Sequence, residues 1–476
     1  MNKELCIMLK FKKLAVCVLA FCLALSMLVG CGGKGTQYTE DGRIIITFAG
    51  RGKDAEKNNF SRFLSDFMDS NEDIYVNLEW RANEAAHNSY LANSGMNNLP
   101  TIFMLDNRQF IPYADAGSLY DMKDSIPPEE LEQIYYNSHD IYWWDPVLKL
   151  RGKTDNAALY GLPKDQGPFV LCYNKELYER CWELAYGDNV AVEYPSATDP
   201  MTFDEFNVLL DKLVPAGREG INTAIYGVAA YDLETAVNSN NASFFTGNDA
   251  KTANINTENF KQAIQFLYDL QKDGYMPSIA TSSSGGYQTF CSGMSLFFYC
   301  GPWDLANFWA GDLSFEFDIM PVLQGTAEGA VATSRIGSMA YVVADCATAE
   351  EKEAAVRLAR YLAVNESQQR ASYQLGQSIP NLKSMADEYI GDTLHLLGNK
   401  NPSSRGVFID TVSGNNPKVR GKFEACAYTY STSWLDSFNE YLRTSGVWTG
   451  ADIGAALDAY MPTLQAALDQ MQSMIM

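Results

Sequence analysis

The chain has 476 residues, with 36 basic against 58 acidic side chains and a net charge of −22. A nucleic acid would be repelled by that field, and no basic patch with interleaved aromatics offsets it, so DNA and RNA are excluded as partners. The length exceeds what one hydrophobic core usually serves, which predicts two domains, and ten cysteines in such a chain do not make a disulfide scaffold.

The N-terminus is basic at Lys3, Lys10, Lys12 and Lys13, apolar and uncharged from Leu14 to Met27, and then small, which is the order of a secretory signal. The apolar run is shorter than the ~20 residues that span a bilayer comfortably. Leu28-Val29-Gly30-Cys31 resembles a bacterial lipobox, which implies removal of residues 1–30 and acylation of Cys31; an ordinary signal peptide is the alternative. Six cysteines would then remain. Cys172 with Cys181, or Cys291 with Cys300, are spaced for local bridges, with free buried thiols as the competing reading. No Cys/His metal spacing occurs, and neither metal nor cofactor is expected. Residues 31–42 lack an apolar period and read as a flexible tether between lipid and fold.

The fold is expected to begin at Arg43, with a buried-type strand through Phe48. Phe60, Phe63, Leu64 and Phe67 follow at helical spacing, Ile74 to Leu78 alternates as a second strand, and Thr101 to Leu105 is a third. This rhythm predicts a parallel α/β sheet. Tyr160-Gly161-Leu162-Pro163 is extended, because the residue before a proline avoids helical geometry, and suits a strand crossing between lobes. Tyr173-Asn174-Lys175 ends a strand and opens a helix. Thr202-Phe203-Asp204-Glu205 is a capping box ahead of Phe206, Leu209, Leu210 and Leu213, and Thr348-Ala349-Glu350-Glu351 repeats the device ahead of Ala355, Leu358, Ala359 and Leu362. Tyr226 to Tyr231, Met294 to Tyr299 and Met339 to Val343 read as strands, and Phe260, Ile264, Leu267 and Leu270 as a helix that Gly274 stops. Gly285-Gly286 and the stretch 325–329 are expected in loops.

Leu99-Pro100-Thr101-Ile102-Phe103, Tyr160-Gly161-Leu162-Pro163, Tyr173-Asn174-Lys175-Glu176-Leu177, Thr202-Phe203-Asp204-Glu205-Phe206 and Gly301-Pro302-Trp303 stand behind a lipobox in the order found in family 1 extracellular solute-binding proteins. The chain resembles that family, the maltose-binding-protein-like receptors, over most of its mature length. The resemblance implies an α/β, two-lobed, periplasmic-binding-protein-like fold of class II, with residues 43–162 and 323–380 in the first lobe and 163–322 and 381–476 in the second. It implies an extracytoplasmic, lipid-anchored substrate-binding protein of an ABC importer. Such a protein closes on a sugar or oligosaccharide and delivers it to permease subunits as a monomer.

A sugar offers hydroxyls at its rim and C–H groups on its face, so its receptor needs carboxylates, amides and Arg for the one and flat aromatics for the other. By resemblance, Trp303 stacks on a ring, and Asp106 with Arg108 matches, across a one-residue gap, an Asp-Arg pair that binds hydroxyls. Asp165 falls where the hinge faces the cleft. Tyr231 and Asp232 close an apolar strand at the end where α/β sheets bind ligands, with a core tyrosine and a capping aspartate as the plainer reading. Arg335 can reach the cleft, and Gly337-Ser338 stand where small residues let backbone amides approach a ligand. Gly167 and Met104 depart from the maltose-binding pattern, which has a glutamate and a tryptophan there, so maltose itself is not expected. Trp143-Trp144 reads as packing.

Two other classes compete. A surface glycoside hydrolase needs two carboxylates at a defined separation, but no HExxH, GxSxG, Walker or dinucleotide motif is present among the residues that would carry other chemistries. A sensing lipoprotein, or a receptor for a non-sugar solute, would share this sequence signature.

Overall fold

The computed structural model describes residues 35–135, 140–247, 251–278, 283–398, 400–423 and 432–473, so the leader and Cys31 lie outside the described residues. The first sheet has five strands in the order Ile74–Arg81, Ile44–Arg51, Ile102–Asp106, Met339–Val343 and Gly161–Pro163. Ile44–Arg51 pairs in parallel with both neighbours, while Met339–Val343 runs antiparallel to Ile102–Asp106 and to Gly161–Pro163. The helix Asp54–Ser70 connects the first two strands and buries Phe60, Phe63, Leu64 and Phe67, the apolar face its spacing predicts. On the helix Ala349–Val364, Thr348 accepts from the Glu351 amide while the Glu351 carboxylate accepts from the Thr348 amide, completing the capping box.

The second sheet runs in the order Tyr226–Val228, Ser295–Cys300, Val170–Asn174 and Phe317–Met320. The Asn174 side chain accepts from the Leu177 amide at 2.9 Å and starts the helix Lys175–Tyr186. The capping box at Thr202 starts Phe203–Gly220. One core, with Leu210, Phe260, Phe297 and Leu457, lies on one side of this sheet, and another, with Val170, Phe298 and Phe408, on the other. Cys181 belongs to the former and Cys172 to the latter, so the sheet separates the two thiols; both are free, as are Cys291 and Cys300.

Among the described residues, three crossings join the lobes. The first runs from Pro163 to Gly167, the second from Gly337 to Met339, and the third follows Ala371, which still packs in the first core, to Ile379, which bridges to Gln166. The strand Ala332–Gly337 pairs with Val419–Lys422 on one side and Gly167–Pro168 on the other. Leu323 and Ala332 sit in the second core, so the chain re-enters the first lobe at Met339 and not at 323.

Three local expectations are corrected. The tether is already bound to the first lobe at Gln37, whose carbonyl accepts from the Ile45 amide at 2.9 Å across a turn at Thr39–Gly42. The strand expected to Tyr231 ends at Val228, because Asp232 accepts from the Thr235 amide and starts the helix Leu233–Ser239. Gly285 and Gly286 lie in the helix Ser283–Cys291, where a Cβ on Gly286 would come within 2.8 Å of the Ala230 Cβ; the glycine serves close packing rather than a turn.

Candidate functional site: the interlobe cleft

Two adjoining cavities, of about 530 and 890 Å³, meet at Phe169, Trp303, Asn307 and Arg335. The smaller lies between the lobes against the crossings; Asp106, Arg108, Asp165, Gly337 and Ser338 line it on the first-lobe side. The larger is cut into the second lobe, with Tyr231 and Asp232 in its wall. All nine residues singled out from the sequence therefore face one cavity or the other, and Trp303 and Arg335 face both.

Their chemistry differs from one to the next. Trp303 is 40% exposed, directly after the buried strand Ser295–Cys300. Pro302 and the Asp304 carboxylate, which accepts from the Gly301 amide at 3.0 Å, shape the turn that carries it. Phe169 meets the indole edge-on at 4.9 Å, stacks on Tyr299 at 4.5 Å, and lies under the Arg335 guanidinium at 4.6 Å. Arg335 also stands 3.9 Å from Asp232 and 4.0 Å from Glu234. Asp232 both caps its helix and faces the cavity, while Tyr231 turns its ring to the wall and accepts from the Leu323 amide through its hydroxyl. Burial pushes the Tyr231 and Tyr299 hydroxyls well above the ordinary tyrosine range.

On the opposite side the polar groups are largely committed to one another. Asp165 accepts from the Met339 amide at 2.9 Å and from the Lys164 ammonium at 2.7 Å. Lys164 also reaches Glu56 at 3.2 Å. Burial works against the Lys164 charge, but Asp165 and Glu56 outweigh it and leave its pKa above the ordinary lysine value. The Ser338 hydroxyl donates to the Asp165 carbonyl at 2.7 Å and accepts from Tyr142, and its amide donates to Asn107. Ser338 and Asp165 thus knit the crossings together. Asp106 accepts from the amide and the guanidinium of Arg108, which puts that pair at the cleft rim as one unit.

Met104 is fully buried in the first core and does not reach the cleft. Trp143 and Trp144 are buried in the same core, Trp144 donating to Asp115. Sequence reasoning missed Phe169, Lys164, Asn107 and Asp304. A signal existed for two of them: Phe169 alternates with Gly167 after the crossing, and Asp304 adjoins Trp303. The contact of Lys164 with Glu56 and that of Asn107 with Ser338 join residues too distant in sequence to suggest a role.

Two α/β lobes joined by three crossings around a polar and aromatic cleft define the class of two-lobed, periplasmic-binding-protein-like receptors. An ABC substrate-binding protein of Listeria monocytogenes, in complex with cycloalternan, shares this fold with a TM-score of 0.66 and 18% identity, over 89% of this chain and 99% of that one. UgpB of Mycobacterium tuberculosis, in complex with glycerophosphocholine, does so with a TM-score of 0.66 and 17% identity, over 90% and 98%. The galactooligosaccharide-binding protein of Bacillus subtilis (strain 168) is 25% identical over 236 residues, 49% of this chain, and the match spans about half, 52%, of that curated relative. Residues 63–395 match the bacterial extracellular solute-binding protein family, and the chain belongs to it. It is a solute-binding protein rather than an enzyme, and its family is extracytoplasmic. No helix among the described residues is long and apolar enough to cross a membrane.

Proposed function

We propose that the protein is the substrate-binding subunit of an ABC importer, held to the cell membrane through an acylated Cys31, that closes on a carbohydrate and presents it to permease subunits. The observation that carries the carbohydrate reading is the exposed Trp303 ring at the junction of two cavities that also carry charged side chains. An indole there offers an apolar face to a sugar ring while Asp106, Arg108, Arg335 and Asp232 surround it with groups for hydroxyls. Tyr231 adds apolar wall, and Gly337 lets the backbone come close. Asp165 and Ser338 act indirectly, by holding the crossings about which the lobes move. The similarity to a galactooligosaccharide-binding protein and to a cycloalternan-bound receptor supports the same solute class.

A second reading is favoured by the cations along the cleft, Arg51, Lys53, Arg108 and Arg335, and by the likeness to a glycerophosphocholine-bound receptor: a phosphodiester of a small polyol. The test is thermal unfolding of residues 32–476 against galactooligosaccharides, maltooligosaccharides and glycerophosphocholine. A ligand at 100 times its dissociation constant adds about 2.7 kcal/mol of stability. A shift with glycans that Trp303→Ala abolishes supports the carbohydrate reading. A shift with glycerophosphocholine alone replaces it. Loss of membrane attachment in Cys31→Ala checks the anchor.

A further inference from the structure

Trp303 is held by an absence. A Cβ built on Gly167 would lie 2.3 Å from the indole Cζ3 and 2.9 Å from Cε3, with the ring's Cη2 at 3.4 Å. Contacts under 3.0 Å are not tolerated by real Cβ atoms, so a methyl group and the ring compete for one space. Gly167 is not loop backbone free to yield. It pairs with Gly337 across the antiparallel bridge that joins the first crossing to the strand Ala332–Gly337, and Gly337 backs the same ring with its own Cβ position at 3.6 Å. Gly301, on the ring's own turn, abuts it too, with its Cβ position 2.4 Å from Cζ2, and Phe169 meets the ring edge-on. The indole is a flexible side chain on a short turn, so between ring and seat it is the ring that must move.

We propose that Gly167 is a specificity-determining positioning residue of the cleft: by carrying no side chain it seats the Trp303 indole against the crossing strands, and the ring's remaining surface becomes the platform. Any larger residue at this position swings the ring outward, into the space that both cavities share. The orientation of the platform is therefore set from the hinge, by a residue that has no side chain to offer the solute. Because the seat lies on the strand pair linking the lobes, the platform keeps its place relative to the crossings. The inference rests on the carbohydrate reading for its binding readout, but not for its spectroscopic one.

The experiment compares Gly167→Ala with wild type in residues 32–476, using galactooligosaccharides and maltooligosaccharides as probes. The expected result is an affinity loss of about tenfold for the glycan that binds wild type, the size of one misplaced aromatic contact. A changed iodide accessibility of the emission component that Trp303→Ala removes should accompany it without ligand. Gly217→Ala, which crowds Cys181 within the second core, provides the comparison for general destabilisation and should leave both readouts alone. Should Gly167→Ala fold poorly, the double variant with Trp303→Phe decides: the smaller ring vacates the contested space, and recovery of folding locates the clash. Wild-type affinity and unchanged iodide accessibility in Gly167→Ala, or a double variant that folds no better, overturn the seat. A wild type that binds neither glycan defeats the carbohydrate reading alone, because the accessibility change still reports on the seat.

Discussion

The two walls of the cleft are built on opposite principles. The wall formed by the first lobe and the crossings is crowded with charge already spent within the protein, in Lys164 with Glu56 and Asp165, and in Arg108 with Asp106. The second-lobe wall is aromatic, with Trp303, Phe169, Tyr299 and Tyr231 within ring-contact distances of one another in sequence along it. A charged group already paired presents a fixed dipole to a ligand without reorganising, while an aromatic face contributes area without demanding a partner.

The strongest way to break the comparison is at Lys164, which is 8% exposed. Lys164→Met leaves the carboxylates of Glu56 and Asp165 without their buried counter-ion and should cost about 3–5 kcal/mol in urea unfolding. A loss below about 1 kcal/mol would mean that the trio behaves as a surface cluster. On the other wall, Trp303→Ala should change unfolding without ligand only slightly, yet remove the glycan-dependent gain of about 2.7 kcal/mol reached at 100 times the dissociation constant. Retention of that gain in calorimetry would take the platform away from Trp303.

Asp304, under the platform, sharpens the contrast through pH. Burial pushes its carboxyl up to about 6, opposed by the hydrogen bond from the Gly301 amide. A folded value above the unfolded 3.8 means that folding favours the protonated form, so this contribution to stability is present at low pH and is lost as pH rises through about 6. Asp304→Asn keeps an acceptor for the Gly301 amide without the charge. Its stability relative to wild type should therefore improve, by on the order of 2 kcal/mol, between about pH 4 and about pH 7.5. An equal difference at both pH values would show that the carboxylate is well solvated. The smallest effect is expected at Arg108, whose pairs with Asp106 and Glu84 lie at the rim. Arg108→Ala should change stability by no more than about 1 kcal/mol, and a larger loss in the same urea assay would place the pair in the buried network.

Much of the scaffold was legible because its signals are local. The capping boxes at Thr202 and Thr348, and the Phe60 to Phe67 stripe, need only neighbours within two helical turns, and each formed as its spacing predicts. The nine cleft residues came from the family resemblance and, for Tyr231 and Asp232, from the end of a predicted strand, and all face the cavities, yet several do different work there from what their residue type suggested. Asp165 looked like a ligand carboxylate and is bonded to Lys164 and Met339. Asp232 adds a cap to its place in the cleft wall. Gly286 looked like a loop residue and packs a helix closely, because a glycine's freedom to turn and its lack of bulk are indistinguishable in one dimension.

By itself, the sequence determined the alternation of strands and helices, the helix starts, the acidic surface and the family order of motifs, since each depends on residues close along the chain or on composition. Only the tertiary structure decided which polar groups of the cleft are already bonded and how its tryptophan is held. Glu56 meets Lys164, Asn107 meets Ser338 and Gly167 meets Trp303 across separations that no local period encodes. Hydrogen bonds and steric exclusion act over a few ångströms in space, and it is the packing of the two lobes that brings those partners within reach.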